Sequence, residues 1–398
     1  MKRHHQFAVL LLALAAWAAP LPAEDTQVVR SGSGWMEVVS GTLPSLRNLK
    51  VDIEFGSVLV RGGSPQGITY TVRKRLNSGS ESHARRQFEL FTVHASQKSD
   101  FAVLEGECRG AEKISVEVTV NVPRELAFAK VGTRGGRVEM TNIAGRVEAE
   151  TAGGSIIIND IGGTVKAETS GGSIEVGNVG GDMNLETAGG SINIRSASGK
   201  IHAETAGGSI DVGSANQSAY LSTAGGSIQV KRCDGDLRAS TAGGSVEVGD
   251  VGGWATLETS GGSIRLASAK GVVRATTSGG GIRLYGLTHG VTAKTAAGSI
   301  YAEFTAGKGS FSESHLETSI GDVIVYLPSD LPVTVRATID AATGHRFVTD
   351  FPEVKITQEG GEWGGAREIY GQGAINGGGP LLKIHITGGN IELRRGKR

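Results

Sequence analysis

Cysteine is nearly missing. Cys108 and Cys233 are the only 2 in 398 residues, which excludes a disulfide-stapled scaffold and a zinc site built from paired Cys-x-x-Cys motifs. Proline numbers 9 and aromatic residues reach 5%. No stretch after the first 23 residues carries helical periodicity of useful length. Charge of one sign is also absent, because 40 basic residues balance 40 acidic ones. Neither nucleic acid nor an anionic surface is therefore favoured as a partner. There is no His-Glu-x-x-His and no Gly-x-x-x-x-Gly-Lys-Ser/Thr, and the glycine pairs flank strand-like runs instead of opening a helix, so nucleotide binding fails on context. No cofactor and no metal is implied.

Glycine, by contrast, is abundant at 62 residues, and it recurs on a clock. Thr133, Thr151, Thr169, Thr187, Thr205, Thr223, Thr241, Thr259, Thr277 and Thr295 follow one another every 18 residues. Such self-similarity marks a repeat architecture in which each unit stacks on its neighbours. Within the unit beginning at Thr169, Ile174/Val176 and Met183/Leu185/Thr187 alternate with period two, so each half is a short strand with one apolar face. The pairs Gly171-Gly172 and Gly180-Gly181 separate the halves. Glycine belongs where the chain turns through positive φ or where backbones approach closely. Gly153, Gly154, Gly171, Gly172, Gly189 and Gly190 are accordingly the expected structural turns.

Two strands and two turns per unit predict an all-β, single-stranded parallel β-solenoid of about 18 residues per coil. The columns agree. Ile156, Ile174, Ile192, Ile210 and Ile228 repeat one above another, as do Ile158, Val176, Ile194, Val212 and Val230, which suits in-register strands and a buried pleated surface. The inward set 156, 158, 161, 165, 167 and 169 departs from the six-residue recurrence of a three-sided helix, so a two-sided coil is expected. About ten coils at roughly 4.8 Å give a rod on the order of 45 to 50 Å. An inward threonine hydroxyl requires a partner, and a neighbouring hydroxyl or a turn amide is the expected one. Cys233 shares the column of Ile161, Val179, Ala197 and Val251 and reads as a buried free thiol.

Residues 1–23 read as a signal peptide, with a basic start at Lys2-Arg3, an apolar run from Phe7 to Trp17 and a cleavage site after Ala23. The run is too short for a comfortable membrane span, so the mature chain is expected to be exported, with no transmembrane segment. Residues 24–130 keep a β pattern without the clock and are expected to form an N-terminal cap, with a first coil beginning near Val51 and a polar connection over Asn77 to Gln87. Residues 131–304 are the regular solenoid. Residues 305–398 continue and close it, with Gly360 to Gly379 read as a loop. Along the rod, residues 131–222 carry ten acidic and six basic side chains, and residues 223–304 carry six and eight, giving nets of −4 and +2.

Three places carry a family resemblance: Asp52-Ile53-Glu54-Phe55-Gly56-Ser57-Val58, the Thr-Ser/Ala-Gly-Gly-Ser-Ile units, and Asn376-Gly377-Gly378-Gly379-Pro380 leading into Thr387-Gly388-Gly389-Asn390-Ile391. The layout resembles the bacterial family called "putative adhesins", exported domains of unknown function made of β-strand repeats. That resemblance implies a β-solenoid at or outside the bacterial envelope and brings no functional residues with it.

Chemistry has one prominent candidate, the outward column Glu150, Glu168, Glu186 and Glu204, with Glu148, Lys166, Asn184 and His202 two residues earlier. Carboxylates one strand apart repel and can share a cation or a proton, and β-helical polysaccharide lyases use such faces. The plain alternative is a solvated charged surface. Turn-bound calcium is disfavoured, since the Thr-Ala-Gly-Gly-Ser turn has no aspartate. Tyr220, Trp254, Tyr285 and Tyr301 fall at outward or turn positions and could stack on sugars, Trp254 and Tyr285 being the binding candidates taken forward, with Trp363 and Tyr370 comparable. The expected function is a non-enzymatic adhesin-like or envelope structural protein whose partner is an envelope polysaccharide, a cell surface or another copy of itself. The alternative is a polysaccharide lyase or hydrolase using the glutamate column.

Overall fold

The computed structural model describes residues 25–65, 67–110, 114–307, 309–360 and 368–396. The expected signal peptide and Trp363 lie outside the described residues. Among those described, 36 strands and a single short helix form, and the strands divide into two sheets of 18. Each coil gives one strand to each sheet, as Val165–Thr169 and Ile174–Val179 do.

Stacking is parallel and in register at the repeat interval. Ile156 lies on Ile174 and Ile174 on Ile192 in the first sheet, while Val165 lies on Met183 and Met183 on Ile201 in the second. Ile156, Ile158, Ile161, Val165, Ala167 and Thr169 are all buried, so the interior is the seam between two facing sheets. Each large apolar side chain contributes roughly 1.5 to 3 kcal/mol before chain entropy is subtracted.

The turn glycines are needed for space. A Cβ on Gly154, Gly172 or Gly190 would sit 1.9, 2.0 or 2.1 Å from the carbonyl oxygen of the glycine one coil earlier. Gly153 has nothing within 4 Å, and Gly171 and Gly189 first meet atoms at 3.7 and 3.4 Å. None of the six has a positive φ. Close approach of stacked backbones, rather than a left-handed turn, therefore fixes the second glycine of each pair.

The threonine column tightens the same corner. Thr169 Oγ1 donates to Gly154 O of the preceding coil at 2.9 Å and accepts from Gly172 N of its own coil at 3.3 Å, and Thr205 repeats the pattern with Gly190 and Gly208 at 2.8 and 3.2 Å. The turn-amide partner expected for the hydroxyl is present, and the proton goes to a carbonyl instead of to a neighbouring hydroxyl. Beside it runs a serine column that sequence reading overlooked. Ser209 N donates to Ser191 Oγ at 3.1 Å and Ser227 N to Ser209 Oγ at 3.2 Å. Cys233 is a buried free thiol, and burial pushes its pKa up.

At both ends the chain stops stacking in sequence order. Asn48–Ile53 and Ser57–Gly62 form a coil directly beneath Phe128–Thr133 and Val138–Ile143. A later coil, Phe101–Cys108 and Ile114–Val122, lies outside it. Likewise Leu381–Gly388 and Ile391–Arg395 are inserted between Ser314–Ile320/Val323–Leu327 and the outermost Val333–Ile339/Phe347–Thr349. Antiparallel strands then close each end: Ile68–Leu76, Gly34–Leu43 and Asp25–Ser31 on the first sheet and Phe91–Lys98 on the second at the N-terminal end, Glu368–Ile375 and Lys355–Glu359 on the second at the other.

Two expectations fail here. The polar connection holds a helix, Glu81–Phe88, with Ser80 Oγ accepting from His83 N at its start, and its Ala84 and Phe88 are buried. An eight-residue amphipathic turn is too short to show periodicity against a β background. Of the segment read as a loop, residues 361–367 lie outside the described residues, and Glu368–Ile375 is a strand whose Gly371 and Gly373 give way to Phe347 and to the backbone of Glu353 and Val354. The interior ends at the N-terminal cap on an inward ion pair, Lys74 Nζ to Glu37 at 2.7 Å, with Lys74 also donating to Phe88 O at 2.9 Å. Inward charges are a known means of blunting a sheet edge against further strands.

Candidate interaction face

The glutamate column is real as a geometric object. Glu150, Glu168, Glu186 and Glu204 are consecutive register partners in the second sheet, and Ser222 follows. Its extent is greater than the repeat reveals. In the other direction Glu150 is followed by Gly132, Asp52 and Glu105, because the permuted cap coils bring those strands into line. The column borders a shallow trough of about 1210 Å³ that also reaches Cys108, Arg109 and Arg134.

The carboxylates are not bare. Glu105 meets Lys98 at 2.6 Å, Asp52 meets Lys50 at 3.6 Å, and Glu150 meets Lys130 at 2.7 Å. Glu168 meets Lys166 at 3.3 Å, Asn184 Nδ2 donates to Glu186 Oε1 at 3.0 Å, and Glu204 meets His202 at 3.3 Å. The hydrogen bond to Glu150 raises the Lys130 pKa above the ordinary lysine value. Each acid is thus drawn sideways toward a cation or amide, Lys130 being shared with Glu148 at 3.4 Å, which relieves repulsion along the column. Among the described residues no group of three or more His, Cys, Asp or Glu is arranged to hold a metal ion. The arrangement can present alternating charge and hydrogen-bonding groups to a long partner.

The aromatic candidates do not converge. Trp254 precedes Ala255–Thr259 in the second sheet, as Tyr220 lies in Ala219–Thr223, whereas Tyr285 lies in Ile282–Leu287 of the first sheet. Stacking within the ladders occupies ring faces. His202 and Tyr220 are stacked with centroids 4.8 Å apart and planes nearly parallel at 10°, and Tyr285, Tyr301 and Tyr326 follow one another at 5.0 and 5.4 Å. Arg265 lies over Tyr285 at 5.2 Å. Burial, then the Glu303 charge, pushes the Tyr301 pKa up to about 12. Tyr370 is bound to Glu368 and is likewise pushed up to about 12.

One family model, Toastrack DUF4097, matches residues 47–250 of this two-sided coil. The chain belongs to the Toastrack DUF4097 family. The match begins one residue before the cap coil at Asn48–Ile53 and ends within the regular coils. Among solved structures, the chain is similar to a "putative adhesin" of Parabacteroides distasonis at 14% identity, covering 68% of this chain and 98% of that one with a TM-score of 0.34. It is also similar to a "putative adhesin" of Bacteroides fragilis at 12% identity, covering 58% and 96% with a TM-score of 0.34. A "putative cell adhesion protein" of Clostridium sporogenes shares 9% identity over 94% and 100% of the two chains, with a TM-score of 0.16. A search of curated protein sequences finds no match. No helix among the described residues is long and apolar enough to cross a membrane.

Proposed function

We propose that this chain is an exported, non-enzymatic, adhesin-like interaction protein of the bacterial envelope, holding an envelope polysaccharide or a cell surface against the outer face of its second sheet. The observation that carries the reading is the sideways engagement of every carboxylate in the glutamate column. The column offers a repeating, solvated set of small contacts, which suits binding spread over several coils. Self-association end to end is the least supported of the partners considered, since antiparallel strands, the Glu81–Phe88 helix and the Phe347–Val354 segment cover the ends.

The test incubates the chain with purified envelope fractions and a panel of polysaccharides, recording retention and the release of new sugar ends. Retention without release is expected. Release that disappears in Glu168→Gln and Glu186→Gln variants would sink the reading and make this a polysaccharide-acting enzyme.

A further inference from the structure

We propose that the surface depression beside Trp254 is a stacking subsite for a neutral glycan, a proposal that rests on the envelope-polymer reading and gives it a location. The depression, about 420 Å³, lies between the turn column Asp182, Lys200, Ser218, Asp236 and Trp254 and the outward column His202, Tyr220 and Arg238.

Three observations identify the occupant. The first concerns ring faces. Tyr220 is stacked on His202, and Tyr285 is held between Tyr301 and Arg265. Trp254 has no ring or cation partner among the described residues and is 45% exposed. It is therefore an aromatic on this face with no ring or cation stacked on it, whereas Tyr220 has one face covered by His202. The second is apolar continuity. Val272, 52% exposed, stands one coil beyond Trp254, just before the register partner of Ala255, and Tyr220 is 38% exposed nearby. The C–H face of a sugar ring suits such a strip.

The third is charge. Two acids, Asp182 and Asp236, and two cations, Lys200 and Arg238, rim the depression and cancel. A charged polymer would meet as much repulsion as attraction there, whereas hydroxyl groups can donate to the acids and accept from the cations. The acids are also held in place. Asp182 Oδ1 accepts from Lys200 N at 2.8 Å and Asp236 Oδ1 from Trp254 N at 3.1 Å, leaving Oδ2 of each without a hydrogen-bond partner among the described residues. The backbone amide that anchors Asp236 is that of Trp254 itself, so the platform and its nearest acceptor are fixed together.

The experiment measures binding of the full chain to a soluble neutral β-glucan and to short chitin oligosaccharides, by affinity electrophoresis and by tryptophan fluorescence. Wild type should bind with a shift in emission. Trp254→Ala should weaken binding about tenfold or more and abolish the shift, while Trp254→Phe, which keeps a ring face, should stay within roughly threefold. Tyr285→Ala, on the opposite sheet, should bind as wild type does. Unchanged thermal unfolding of Trp254→Ala would show that the loss is not a folding defect. If wild type and Trp254→Ala bind equally, the subsite is wrong and the broader reading stands. Retention by envelope fractions without binding to either neutral glycan also overturns the subsite alone. Retention by nothing overturns both.

Discussion

The regular coils and the two ends are made from the same motif and obey different rules. Between Phe128 and Phe304 the next coil in the chain is the next coil in space. At either end a coil is slipped between two others that adjoin in sequence. Glycine changes its purpose with the region. In the regular coils Gly172 makes room for a stacked carbonyl at negative φ. In the closing turn Gly377 and Gly378 take φ of 85° and 82° beside Asn376 at 50°, a conformation that L side chains adopt at a cost. The regular part is replaceable unit by unit, and the ends are locked by long-range pairing.

Excision is the widest test of that contrast. Deleting residues 188–205 removes one full coil and rejoins Thr187 to Ala206 in register, so a shortened rod should still fold, with unfolding shifted by a few kcal/mol at most. Deleting residues 381–396 removes the coil that Ser314–Ile320 and Val333–Ile339 both pair with, and should abolish cooperative unfolding measured by circular dichroism and urea titration.

Smaller changes sharpen the comparison. Gly172→Ala sets a Cβ 2.0 Å from a backbone oxygen and should cost about 2 to 4 kcal/mol, whereas Gly171→Ala, with its first contact at 3.7 Å, should be neutral or up to about 1 kcal/mol stabilising. Thr169→Val keeps the shape but strands Gly172 N and Gly154 O, and should cost roughly 1 to 3 kcal/mol in urea unfolding.

Acid should loosen the C-terminal end in two stages. Burial, then the Lys294 charge, lowers the His315 pKa, with Lys383 and His385 adding to it against Glu317. The unfolded chain therefore takes up the proton first. Stability present above the ordinary histidine value near pH 6.5 is lost as pH falls toward the folded value. His315→Gln should flatten that limb of the melting-temperature profile. Glu317, bonded to Lys294, and Asp350, accepting from Arg395 N, have lowered pKa values and should withdraw a second contribution below the ordinary carboxylate range, near pH 4. Both are substantially exposed, so this limb should be shallow. The least effect belongs to the glutamate column, where Glu168→Gln with Glu186→Gln should alter stability by no more than about 0.5 kcal/mol.

Much of this was legible beforehand because the repeat displays its own register. Once Thr151 and Thr169 are aligned, the partners of Glu150, Ala167 and Ile174 are known without coordinates. The inward set and the free Cys233 followed from alternation and column chemistry. Asp52 and Glu105 could not be read into the glutamate column, since they lie outside the clock and reach it through permuted coils. The Glu81–Phe88 helix is set by the Ser80 cap and by burial of Phe88, and the latter exists only once the cap has closed.

The sequence by itself determined the coil: its length, its two strands, its inward residues and its neighbour on either side, because an exact repeat makes every contact within it local to the next unit. Only the tertiary structure decided how the rod ends and which aromatic rings remain open. Those depend on pairings between segments far apart in the chain and on whether a neighbouring side chain has already occupied a face, and neither is a property of any one repeat.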